Sequence, residues 1–303
     1  MTGGAGFIGT HLVKRLLEDS SIHLVLLSKS EVEERYAGVT YVVAPPGKLS
    51  SETWRKAGLE RIDFVFHLGA FTPKTQEQGD FIEAIYRDNL LGTRELLASL
   101  PAPPVRVVFS STLDVYAQLP DDTVLTEASP VGPSNLYGAS KLFCEQLIRT
   151  YARSQNCGHA ILRYGHIFGP GEGAYGKLIP QTIKHMLSGK APVIYGDGST
   201  ERDFLYVTDA IEATVRAAMS DAPELGPVNI VRGASVSIRT IVEILISILN
   251  YSEEIQYVSG GSMRSSLRFD NSQMRKDLGH WDLVPFEDGL KEEVRYFQSC
   301  INE

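Results

Sequence analysis

Tyr137 and Lys141 stand four residues apart in the string SNLYGASKLFCEQL. On a helix that spacing puts both side chains on one face. Ser134, after Pro133, is the expected cap of this helix. A phenol beside an ammonium is an acid–base unit. Oxidising a secondary alcohol means removing the hydroxyl proton as hydride leaves the carbon, and an unperturbed tyrosine, with a pKa of about 10, is mostly protonated near neutrality. A neighbouring cation favours the phenolate. Tyr137 would then serve as base in oxidation and acid in reduction. Such pairs also abound in structural helices, so the spacing needs support from what surrounds it.

That support begins with a second constellation at the start of the chain. Gly3, Gly6 and Gly9 form G-x-x-G-x-x-G directly before the helical pattern FIGTHLVKRLLE. Glycines permit positive φ and close approach of backbone N–H groups to a pyrophosphate, whose charge then lies at the positive end of the helix.

Both constellations need a scaffold, and the apolar pattern supplies one. Strand-length runs at 23–27, 63–69, 105–111 and 159–165 alternate with helical patterns at about 9–19, 50–58, 79–99 and 135–155. Short, fully apolar strands alternating with helices indicate an α/β, doubly wound parallel sheet covered on both faces. After 165 come helices near 177–189, 209–219, 237–250 and 286–298, with shorter strands at 192–195, 227–231 and 255–258. The expected division is a dinucleotide-binding domain over 1–165 and a smaller C-terminal α/β substrate lobe over 166–303, with part of 204–231 returning to the first domain.

The string TGGAGFIG resembles the fingerprint of the extended short-chain dehydrogenase/reductase superfamily, in its nucleotide-sugar epimerase/dehydratase branch. The segments HLGAFTPK, SSTLDVYA, LRYGHIFGPG, KLIP, VIYGDGSTERDFLYVTDA and LGHWDLVPFEDGLKEEV resemble successive family segments, so the likeness spans almost all 303 residues. It implies a Rossmann-type fold. In this family a strand precedes the Thr of the fingerprint, whereas only Met1 precedes Thr2 here. The expectation is that the first strand is missing and that the native protein begins upstream, with Met1 replacing a valine encoded by GTG.

The resemblance also assigns residues. Gly3, Gly6, Phe7, Ile8 and Gly9 would hold the cofactor pyrophosphate, with further cofactor contacts from Leu68, Ala70, Asn89, Ser110, Tyr137 and Lys141. Thr112 matches the catalytic Ser or Thr of the family, and Thr72 falls where substrate binds. Lys141 would both lower the Tyr137 pKa and hold the nicotinamide ribose. A carboxylate at the tip of the second strand would favour NAD over NADP. Ser28 and Lys29 stand there, so the cofactor is NADP or NAD, with NADP slightly favoured. Ala44, Pro45 and Pro46 replace the usual Gly-Asp near adenine. Arg202 would grip the diphosphate of a nucleotide-sugar, with Arg264 or Arg268 completing the clamp, and His166 stands where relatives carry Asn.

The 4,6-dehydratases of the family place an acidic pair after the catalytic threonine, where this chain has Leu113 and Asp114. A C4 epimerase needs nothing beyond Thr112, Tyr137 and Lys141 and is the first expectation. A 4-keto-sugar reductase using NADPH is the alternative. A non-catalytic dinucleotide binder or an inactive truncated homologue is a further one.

Composition sets the remaining bounds. The net charge is -8, and no basic run suggests nucleic acid or anionic lipid as a partner. Cys144, Cys157 and Cys300 have neither a disulfide framework nor metal-ligand spacing, so no metal is expected. With no apolar run of membrane length, the chain reads as cytoplasmic. The resemblance implies a homodimer built on the helices near 79–99 and 135–155.

Overall fold

The structure is a computed structural model that describes residues 1–31, 36–73, 81–120, 123–173, 176–259 and 266–301. Contacts divide the chain into two compact units. The first comprises Met1–Gln118, Ser129–Tyr164 and Ile211–Val228, and the second Leu119–Ala128, Gly165–Ala210 and Asn229–Glu303. Residues 119–128 therefore cluster with the second unit rather than with the chain around them. Their strand Val124–Leu125 pairs in parallel with Arg268–Phe269, a partner far away in sequence.

The first unit is built on parallel strands. Phe64–His67 pairs with Arg106–Thr112, which pairs with Gly158–Tyr164, and Val25–Ser28 pairs with Thr40–Val43. Thr2 joins the two groups through parallel bridges to Leu27 and His67. The place of the first strand thus lies between these two strands, and Met1 and Thr2 lie in it: Thr2 N donates to Phe66 O at 2.9 Å and Leu27 N to Met1 O at 2.8 Å. This is the doubly wound order, with the glycine turn hanging from its switch point.

Burial explains why these strands read as apolar runs. Val107, Val108 and Phe109 are at most 1% exposed in the Arg106–Thr112 strand, which has a parallel partner on each side and the helix Leu136–Gln155 packed against it. Around it pack Val65, Trp54, Leu96, Leu97 and Ile148. Each such side chain contributes roughly 1.5–3 kcal/mol on leaving water. The helical segment expected at 79–99 begins, among the described residues, at Phe81; Ile85–Leu91 is π-helical before Gly92–Ser99 resumes the α register.

The second unit has its own core of Phe168, Ile179, Ile183, Phe204, Ile241, Leu245 and Phe286. Its strand Glu201–Tyr206 pairs in parallel with His166–Phe168 and antiparallel with Ser235–Ser237. No helix among the described residues is long and apolar enough to cross a membrane.

Candidate active site

The glycine turn is constrained by close packing. Gly3 has φ +73, and a Cβ there would lie 2.7 Å from Gly69 N and 2.8 Å from the Leu68 carbonyl carbon. A Cβ on Gly9 would lie 1.9 Å from the Gly3 carbonyl oxygen, so no other residue fits. Gly6 caps the helix Phe7–Leu16 without a side chain, which leaves the mouth of the helix open to an anion. A cavity of about 600 Å³ lies against this turn, lined among others by Gly3, Gly6, Ser28, Lys29, Ala70 and Asp88. Ala44 and Pro46, which replace the family's adenine contact, also line it. The bare turn, the open helix end and the cavity fit a dinucleotide.

At the edge of the cavity, Lys29 Nζ donates to Asp88 Oδ2 at 2.6 Å, and Arg87 Nε donates to Asp88 Oδ1 at 2.7 Å. Burial opposes the Asp88 charge, but the hydrogen bonds from Arg87 and Lys29 outweigh it and hold the carboxyl below its ordinary range. Lys29 is therefore an ion-paired residue of the cavity rim, and Ser28 Oγ donates to the Ser30 carbonyl. Arg87 and Asp88 escaped the sequence reading because the π-helical turn, which brings them to the cavity, leaves no trace in the apolar pattern.

The Tyr137–Lys141 pair lies on the helix Leu136–Gln155. Its cap is Asn135 rather than Ser134: Asn135 Oδ1 accepts from Gly138 N at 2.7 Å. Both residues have short polar side chains suited to the role, and the helix begins one residue later than expected. The same Asn135 side chain hydrogen-bonds Asp114, whose carboxyl burial pushes upward. A Cβ on Gly138 would lie 2.3 Å from the Asp114 carbonyl oxygen, so the helix Leu136–Gln155 starts directly on the turn that follows Thr112. Thr112 ends its strand and accepts from Asp114 N at 3.2 Å through its hydroxyl.

Lys141 is 2% exposed, and burial lowers its pKa to about 8 against the opposing pull of Cys144 and Glu145. Its ammonium donates to the Ser110 carbonyl at 2.6 Å and lies 5.9 Å from the centre of the Tyr137 ring. One turn further along, Glu145 is fully buried; it accepts two bonds of 2.9 Å from Arg163 and one of 2.6 Å from Ser111, the neighbour of Thr112. Asn89 is 2% exposed. Its Oδ1 accepts from Phe71 N at 2.7 Å, holding the loop that leads to Thr72, and its Nδ2 donates to Ser140 Oγ at 3.0 Å.

His166, Arg202 and Arg268 belong to the second unit. The His166 ring packs on Phe204 with centroids 5.5 Å apart. Arg202 donates to the Glu201 carbonyl at 2.7 Å, and Arg268 Nε donates to Glu201 Oε2, also at 2.7 Å. Both bonds end on Glu201, one on its backbone carbonyl and one on its carboxylate. Arg264 lies outside the described residues. Among the described residues no three His, Cys, Asp or Glu side chains assemble as a metal site.

The chain is 30% identical over 324 residues to the UDP-N-acetyl-alpha-D-glucosaminuronate decarboxylase of Bacillus cytotoxicus, covering 100% of this chain and 98% of that protein. Two solved structures are similar over 99% of this chain. One is the UDP-N-acetylglucosamine 4-epimerase of Methanobrevibacter ruminantium M1 in complex with UDP-N-acetylmuramic acid, with a TM-score of 0.85, 27% identity and 97% of that chain covered. The other is the UDP-glucuronic acid 4-epimerase of Bacillus cereus in complex with UDP-glucuronic acid and NAD, with a TM-score of 0.83, 26% identity and 98% of that chain covered. The family model described as NAD dependent epimerase/dehydratase matches residues 1–230, and with the glycine cradle and the Tyr137–Lys141 helix in place, the chain belongs to that family.

Proposed function

We propose that this protein is an NAD(P)-dependent nucleotide-sugar epimerase that inverts the sugar at C4. The observation that carries the reading is the seating of the Tyr137–Lys141 helix on the turn after Thr112, with the buried Lys141 ammonium facing the Tyr137 ring. Tyr137 takes the proton of the 4-hydroxyl as the alcohol is oxidised and returns it when the 4-keto sugar is reduced on its other face. Thr112 hydrogen-bonds the reacting oxygen. Lys141 favours the phenolate by its charge and would hold the ribose of the cofactor. Asn89 sets the Phe71 loop and with it Thr72. Gly3, Gly6, Phe7, Ile8 and Gly9 would hold the pyrophosphate, and Leu68, Ala70 and Ser110 would complete the cofactor contacts. The dinucleotide supplies the acceptor and donor of the C4 hydrogen.

Arg202 and Arg268 would grip the diphosphate of the nucleotide-sugar, and His166 belongs to the same unit. Leu113 in place of an acid removes half of the pair that a 4,6-dehydratase needs, which supports epimerisation over elimination. The NADPH-dependent 4-keto-sugar reductase remains the second reading because Ser28 and Lys29 replace a ribose-binding carboxylate. The presence of both Tyr137 and Lys141 supports catalysis over binding alone.

A homodimer formed through the first unit accords with exposed Ile82 and Tyr86 on one helical segment and exposed Leu136 and Phe143 on the next helix. Free thiols at Cys144, Cys157 and Cys300 suit a reducing cytoplasm. The test is to mix the enzyme with UDP-sugars and with dTDP- or CDP-4-keto sugars, with and without NADPH. Interconversion of C4 epimers without net NADPH use is expected. Stoichiometric NADPH consumption selects the reductase instead.

A further inference from the structure

We propose that His67 and Thr93 are positioning residues, the middle links of a one-directional hydrogen-bond chain that ties the glycine-rich cofactor turn to the backbone of Tyr137. The inference rests on the reading of Tyr137 and the glycine turn given above. It concerns two residues given no binding or catalytic role above.

The direction of the chain follows from counting protons. Thr93 Oγ1 donates its single hydrogen to the Asn89 carbonyl at 2.6 Å. Toward His67 Nε2, 2.8 Å away, the same hydroxyl can then only accept, so Nε2 carries the ring hydrogen. In a neutral ring Nδ1 is a lone pair. Thr2 Oγ1, 2.7 Å from Nδ1, must donate to it, which leaves its own lone pair to accept Gly69 N–H at 2.9 Å. Every partner is satisfied with His67 as the Nε2–H tautomer, and the opposite tautomer would leave the Thr93 contact without a proton.

The ring stays neutral for an independent reason. His67 is 4% exposed, and burial, reinforced by the Lys141 ammonium, lowers its pKa to about 3. A residue that would otherwise titrate near neutrality is held as a fixed strut.

Beyond Thr93 the chain continues to the chemistry. Asn89, whose carbonyl receives the Thr93 hydrogen, donates through Nδ2 to Ser140 Oγ, and Ser140 donates to the Tyr137 carbonyl at 2.7 Å. At the other end Thr2 directly precedes Gly3, and both Thr2 and His67 line the cofactor cavity. The chain therefore fixes the distance between the turn that seats the dinucleotide and the residue that exchanges the proton. Buried, fully satisfied networks of this kind are costly to interrupt.

The experiment compares Thr93→Val, which keeps shape and removes the hydroxyl, with Thr93→Ser, which restores it. Three quantities are read: the His67 tautomer by nitrogen-15 NMR, the Kd for NAD and NADP by calorimetry, and kcat and KM for the sugar nucleotide. Wild type and Thr93→Ser are expected to show Nε2–H from pH 5 to 9 and equal dinucleotide affinity. Thr93→Val is expected to lose that signature, bind dinucleotide about tenfold more weakly and lose about tenfold in kcat with KM unchanged, a factor in keeping with one broken buried hydrogen bond. Ser140→Ala cuts the chain at its far end and should lower kcat while leaving dinucleotide affinity intact, which keeps a test available if the valine variant does not fold. The proposal is overturned if His67 titrates near 6.5, if folded Thr93→Val binds and turns over as wild type does, or if Ser140→Ala leaves kcat unchanged. Failure of wild type to act on any sugar nucleotide would sink the epimerase reading alone, since tautomer and dinucleotide affinity are measured without substrate.

Discussion

The Lys141 ammonium lies 5.9 Å from the centre of the Tyr137 ring, and burial holds its pKa down to about 8. Its charge is therefore present below pH 8 and is lost as pH rises through that value. The phenolate loses its electrostatic support over the same window. We expect kcat/KM to fall on the alkaline side with an apparent pKa near 8. Lys141→Met should be slower by about a hundredfold, a typical size for impaired acid–base catalysis, and should lack that limb. A flat profile to pH 10 in the wild type would contradict the assignment.

Gly9 is the tightest point of the glycine turn. A methyl group there would lie 1.9 Å from the Gly3 carbonyl oxygen, so Gly9→Ala must displace the turn. Overpacking of this kind costs about 1–3 kcal/mol. Thermal melting should show a lower Tm for the variant and no upward shift with NAD or NADP, whereas the wild type rises with at least one of them. Gly58 has open space around it, but its φ is +73, so Gly58→Ala controls for the strain of a left-handed site without a clash.

Arg202 and Arg268 each hydrogen-bond to Glu201. If they clamp a diphosphate, Arg202→Lys loses the two-pronged contact while keeping the charge. KM for the sugar nucleotide should rise about tenfold or more, with dinucleotide affinity unchanged in calorimetry. Equal KM in the variant would remove Arg202 from the substrate site.

Much of the first unit was legible in the sequence because its signals are local. The helix bearing Tyr137 and Lys141, the glycine turn and the apolar strand Arg106–Thr112 each declare themselves within one short string. Contacts between distant positions left no such mark. Lys29 and Asp88 are far apart in the chain, and nothing in the string LLSKS announces the carboxylate that pairs with the lysine. The cap moved from Ser134 to Asn135 because adjacent cap-competent residues compete and packing against Asp114 decides between them. Residues 119–128 fall within the domain expected over 1–165, since a two-residue strand carries no periodicity and its partner lies near the other end of the chain.

A separate expectation concerns stability. Glu293 is fully buried; burial, then the nearby Glu172, raises its pKa to about 8, with Lys177 opposing. A carboxyl with a higher pKa folded than unfolded binds its proton more tightly in the folded state. The stability it contributes is complete below its unfolded pKa, about 4.5, and is lost as pH climbs towards 8. The Tm should fall between pH 5 and 8. Glu293→Gln should flatten that slope and melt about 3 °C or more above wild type at pH 8. A parallel slope in both proteins would show that Glu293 does not titrate in this range.

The most direct test of the central claim is turnover by Tyr137→Phe, followed as C4 inversion of UDP-sugars by proton NMR, with dinucleotide affinity measured on the same sample. The account predicts that the variant keeps NAD or NADP affinity within about twofold and loses between about 10² and 10⁴ of kcat, the range for removing a positioned acid–base group. Undiminished inversion by Tyr137→Phe would contradict it.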